Sequence, residues 1–181
     1  MKKVVYSFGL LMACIVLMGC PYESTVTIDE PSVNVPSGLI STWEIETSNE
    51  NANKFVIKKE GDFVMRINKK ASETSYDEGG KYKAFISKIG EVDFLQVYEV
   101  NEDWTEKKEK NDKGKEVAVK EYYIYRMLHN DDYTKVTLQP LSENISEKFA
   151  TSAELKAFLE KYKDLSFLCD KKEDVYIKIE D

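Results

Sequence analysis

From Gly38 onward the chain alternates apolar and polar residues with a period of two, the pattern of strands that bury one face. Leu39, Trp43 and Ile45 share one side of residues 39–47, with Thr42, Glu44 and Glu46 on the other; Ile40 is the exception. Phe55 and Ile57, then Phe63, Met65 and Ile67, flank Gly61-Asp62, which predicts a hairpin. A second hairpin is expected over residues 81–86 and 92–100, divided by Gly90. The longest strand is expected over 117–128, with Tyr123, Tyr125 and Met127 alternating against Tyr122, Ile124, Arg126 and Leu128. A turn at Asn130-Asp131-Asp132 sends it back through 133–139 to Pro140, where the ladder stops because proline has no N–H to donate.

The period then changes. Thr151 with Glu154 three residues on forms a capping box, and Leu155, Phe158, Leu159 and Tyr162 recur at i, i+3, i+4 and i+7, which predicts one amphipathic helix. A closing strand follows, with Val175, Ile177 and Ile179 alternating against Tyr176 and Lys178. The expected fold is mainly β: an antiparallel meander of about seven strands, one C-terminal helix and a closing strand, all in a single domain over 38–181.

This order resembles that of lipocalins and their bacterial lipocalin-like relatives. The opening Leu39-Ile40-Ser41-Thr42-Trp43-Glu44 resembles the Leu-x-Gly-x-Trp start of those domains, with Ser41 where glycine is usual and one strand fewer before the helix. The resemblance implies a barrel plugged at one end by Trp43 and able to hold a ligand. The same periodicity also permits an open, strongly curved antiparallel sheet with the helix on one face.

The N-terminal residues carry a different message. Lys2 and Lys3 precede a mostly apolar run to Val16, and Leu17-Met18-Gly19-Cys20 closes it. This resembles the signal peptide and lipobox of bacterial lipoproteins, with Met18 a less usual choice at its position. The resemblance implies cleavage after residue 19, acylation of Cys20 and attachment to a membrane through that lipid. The run is shorter than the roughly 20 apolar residues that span a bilayer. Pro21, where enterobacterial inner-membrane retention would have Asp, points to an outer-membrane lipoprotein, facing either the periplasm or the surface. Residues 20–37 hold three of the four prolines with several Ser and Thr and no amphipathic period, so they read as the lipidated cysteine and a flexible tether. Seventeen extended residues at about 3.3 Å each would reach roughly 55 Å.

Composition narrows the partners. The formal net charge is −7, and loss of Lys2 and Lys3 leaves 24 basic against 33 acidic residues, a net of −9. Phosphate backbones repel such a surface, so nucleic acid is not an expected partner. With Cys14 in the signal and Cys20 acylated, Cys169 has no partner for a disulfide within the chain and reads as a small buried hydrophobe.

Catalytic patterns are missing from the sequence. The single histidine, His129, adjoins a turn that needs its Asn and Asp residues for its own backbone. No Gly-rich phosphate loop, nucleophile elbow or HExxH is present, and the adjacent acids Glu102-Asp103 and Glu173-Asp174 lie in charged stretches. No enzyme activity, cofactor or metal is expected. Two functions remain. One is binding of a small apolar or amphipathic ligand, with Trp43, Tyr123 and Tyr125 as candidate contacts. The other is an envelope protein-interaction or inhibitor module that uses the acidic surface and the charged 101–116 loop, with Trp104 as its candidate contact.

Overall fold

The computed structural model describes residues 22–46, 53–70, 79–110, 114–118 and 120–179. The expected signal segment, residues 1–19, and Cys20 therefore lie outside the described residues. The strands are β1 (Glu23–Ser24), β2 (Thr42–Ile45), β3 (Lys54–Glu60), β4 (Val64–Lys70), β5 (Gly80–Ile89), β6 (Val92–Glu99), β7 (Lys108–Lys110), β8 (Glu116–Ala118), β9 (Tyr122–His129), β10 (Lys135–Pro140) and β11 (Asp174–Ile179). The helix α1 spans Ser152–Tyr162, between β10 and β11.

Eight of these strands form a closed antiparallel barrel. Neighbours run β2-β3-β4-β5-β6-β9-β10-β11, and β11 pairs back onto β2 through Tyr176 with Ile45 and Lys178 with Trp43. The open-sheet alternative is thereby excluded, because β11 leaves neither β2 nor β10 as a free edge. The closing strand after the helix supplies the eighth wall. A separate two-stranded ribbon, β7 with β8, projects between β6 and β9.

Because successive strand residues point to opposite faces, β5, β6 and β9 each contribute to two cores. Inside the barrel lie Trp43, Met65, Ile67, Ala84, Ile86, Leu95, Met127 and Val136. Outside it, Phe85, Phe94, Tyr122 and Ile124 pack against Leu155 and Leu159 of α1. The aromatic residues of β9 thus divide between its faces: Tyr122 is buried in the outer core, and Tyr123 and Tyr125, half-buried, face the interior. The helix begins at the expected cap: Thr151 Oγ1 accepts from Glu154 N at 3.2 Å, and Glu154 Oε2 accepts from Thr151 N at 3.1 Å.

Four expectations need correction. Leu39 is not in the first strand; Ser37–Leu39 form a 3-10 turn that places Leu39 under the barrel, where its carbonyl accepts from Trp43 Nε1 at 3.0 Å. The run 117–128 is broken, since Glu116–Ala118 belong to the ribbon and the barrel strand starts at Tyr122. In β11 the inward face is the reverse of that expected: Tyr176 joins the inner core and Asp174 lines the interior, so Val175, Ile177 and Ile179 occupy the outer face.

The fourth correction concerns the tether. Residues 22–37 are packed against the barrel. Glu23 and Ser24 pair with Tyr123 and Tyr122, and Ile28 is only 1% exposed within the outer core. Val35 is buried in the inner core. Side chains far away in sequence hold this segment: Gln96 Oε1 accepts from Ile28 N at 2.8 Å, Gln96 Nε2 donates to Ser87 Oγ at 2.6 Å, and Ser87 Oγ donates to Asp29.

Candidate functional site

The barrel is closed by side chains at one end and open at the other. Val35 and Leu39 close the base beneath Trp43, which is 2% exposed. Gly38 permits this closure, since a Cβ there would stand 2.8 Å from Cβ of Tyr133. Further around the base, the His129 ring stacks on Tyr133 with centroids 4.2 Å apart, and His129 Nε2 lies 3.4 Å from Asp93 Oδ2. His129 therefore belongs to the base of the barrel. The turn beside it is built by its own amides, with Asn130 Oδ1 accepting from Thr134 N and Lys135 N, each at 3.0 Å.

Above the floor is a cavity of about 560 Å³. Its deep wall is apolar, with Leu39, Trp43, Ile57, Met65, Leu95, Met127 and Val136. Higher up, phenols take over: Tyr82, Tyr123, Tyr125 and Tyr176 line the wall, and Phe55 meets Tyr176 edge-on at 5.3 Å. The rim carries charge of both signs, from Lys69, Lys172, Glu99 and Asp174. The arrangement is graded: an apolar floor, a hydrogen-bonding collar and a charged mouth.

Tyr123, Tyr125 and Tyr176 stay protonated. Burial pushes the Tyr125 hydroxyl up to about 12, aided by the nearby Asp174 carboxylate, and burial followed by Asp174 raises Tyr176 as well. Tyr123 is pushed to about 12 by burial and by Glu23 of β1. At neutral pH these three phenols are therefore neutral hydroxyls, each able to donate or accept.

Three sequence-derived candidates meet in this cavity. Trp43 comes from β2, and Tyr123 and Tyr125 from the inward face of β9. Tyr176 and Asp174 were missed because the closing strand was read in the opposite orientation. The mixed polar–aromatic face of Asp174, Tyr176 and Lys178 was the available signal, since an open cavity tolerates polar groups that a packed core does not.

Trp104 stands apart from the cavity, on the outer surface. At a positive φ of 69°, its ring lies 5.0 Å from the Arg66 guanidinium and 5.3 Å from Lys81 Nζ. That places the start of the 101–116 loop against the outer face of β4 and β5. Cys169 is partly buried, and burial raises its thiol. Among the described residues, no three His, Cys, Asp or Glu side chains are grouped to hold a metal ion, and no helix is long and apolar enough to cross a membrane.

No protein-family model matches the chain, nor does any curated protein or solved structure.

Proposed function

We propose that this chain is a membrane-anchored, non-catalytic binder that holds one small apolar or amphipathic molecule inside a lipocalin-like barrel. The observation that carries the reading is the graded cavity of about 560 Å³, apolar at its floor and hydroxyl-lined towards its mouth. Ligand sites fall at about 300–1,000 Å³, are mostly apolar and use a few placed polar groups for orientation. An amphiphile matches that gradient with its tail on Trp43 and Met127 and its head among Tyr125, Tyr176 and Asp174. Each buried methylene contributes about 0.8 kcal/mol, so ten give roughly 8 kcal/mol before the cost of association is subtracted. That margin supports reversible binding. The anchor is part of the proposal and rests on the Leu17-Met18-Gly19-Cys20 motif.

The test is native mass spectrometry of the chain from residue 20 with Cys20→Ser, purified from its host without detergent, followed by solvent extraction. A discrete small-molecule adduct is expected, and Leu138→Trp, which fills part of the cavity, should remove it while the circular dichroism spectrum is kept. A clean apo mass, with no uptake of a fluorescent fatty acid, would overturn the reading.

A further inference from the structure

The fastening of the N-terminal segment begins only two residues after Cys20. Tyr22 N donates to the Leu141 carbonyl at 3.4 Å and its hydroxyl to the Glu147 carbonyl at 3.2 Å, while its ring meets Phe149 with centroids 6.5 Å apart. Glu23 and Ser24 are then held by β9, and Ile28 by Gln96. Two extended residues span at most about 7 Å. Whatever path residues 20 and 21 take, an acyl group on Cys20 leaves the protein within about that distance of Tyr22.

The location of that exit matters. β1 lies against Tyr122 and Tyr123, and Tyr123 lines the open end of the cavity. The base of the same strand is His129, about 20 Å further along at roughly 3.3 Å per residue. Tyr22 itself sits beside Leu141, whose N–H bonds the Ile124 carbonyl, about 16 Å along the strand from His129, so the attachment point stays in the mouth half of the barrel, without the slack that a 17-residue tether would give.

We propose that the acylated chain sits with its barrel mouth at the headgroup level of the bilayer, so that the cavity loads a single-chain amphiphile directly from the leaflet. This rests on the lipoprotein and ligand-binding reading above. Direct loading removes the passage through water. That passage costs about 0.8 kcal/mol per methylene, equivalent to roughly a fourfold slowing for each one added. A cavity at headgroup level takes up a chain by sliding, and its loading rate depends little on tail length.

Two measurements on the acylated protein in phosphatidylcholine vesicles test this. On a Cys169→Ser background, a fluorophore at Lys172→Cys marks the mouth and one at Glu91→Cys marks the β5–β6 turn at the base. Lipids spin-labelled in the headgroup should quench the mouth label several-fold more than the base label. In the second measurement, fluorescent fatty acids of increasing length are transferred from vesicle to protein. The native chain should show a nearly flat rate, whereas insertion of twenty Gly and Ser residues between Pro21 and Tyr22 should restore a slowing of about fourfold per methylene. Equal quenching of the two labels, or a steep length dependence in the native chain, overturns this proposal alone. Absence of acylation on Cys20, or of fatty-acid binding by the Cys20→Ser chain, overturns the underlying reading and this proposal with it.

Discussion

Gln96→Ala offers the sharpest test of how the N-terminal segment is held. Gln96 is fully buried on the outer face of β6, where its amide bridges Ile28 N and Ser87 Oγ. Truncation removes both bonds. The Ile28 N–H is left in a buried position without its acceptor, at a cost of about 1–3 kcal/mol. Ser87 keeps Asp29 as a partner for its own O–H, so its loss is smaller, and the void left by the amide adds a further fraction. Together these give a destabilisation of about 2–4 kcal/mol, a large share of the roughly 5–15 kcal/mol that holds a domain folded. Urea unfolding followed by circular dichroism measures the total, and hydrogen exchange at the Ile28 amide localises it. The variant should lose midpoint, exchange rapidly at Ile28 and be cleaved by protease within residues 22–37 before the barrel is cut. A cycle with Ser87→Ala should show coupling of about 0.5–3 kcal/mol, as expected of residues in one network. A loss below about 0.5 kcal/mol with Ile28 still protected would refute the idea that this network fastens the segment.

Three further outcomes are expected. Trp43→Ala removes the floor of the cavity and its hydrogen bond to Leu39, and should cost about 3–5 kcal/mol in chemical denaturation. Thr151→Ala deletes the cap that receives Glu154 N and should cost about 1 kcal/mol, seen as a lower Tm with native circular dichroism retained. The third concerns pH: Tyr122 and Tyr125 have folded-state values of about 12 against an ordinary 10.0, so the folded chain holds these protons more tightly than the unfolded one. Stability should be intact below about pH 10 and fall as pH rises towards 12, by up to about 1.4 kcal/mol per pH unit for each group. A Tm that stays level from pH 10 to 12 would count against these phenols being buried.

The legibility of the sequence followed the range of the interactions involved. Alternation within a strand is local, so Trp43, Tyr125 and Met127 could be assigned to one face, and the capping box at Thr151 could be read from two residues. Contacts between distant residues left no such trace. Ile28 shows no period with its neighbours; its burial depends on Gln96, 68 positions away. The prolines of residues 21–37 suggested an extended, free segment. They are equally compatible with an extended segment laid along a barrel. The inverted face of β11 has another cause. Hydrophobicity identifies an inward face when the interior is solid, but this interior is partly open, so Tyr176 and Asp174 turn inward while Val175 and Ile177 cover the outside.

The position of β11 also governs the order in which the barrel can be completed. A chain made from its N-terminus produces β2 early, yet Ile45 waits for Tyr176, and Leu138 waits for Asp174. Until those late residues arrive, β2 and β10 expose unpaired edges, the kind of surface on which chains associate with one another. The helix, packed on the outer face, carries the chain from β10 towards the gap that β11 fills. A chain that stopped at residue 173 would keep most of its strands and its helix, yet it would remain a cleft sheet with two open edges and no enclosed space to hold anything.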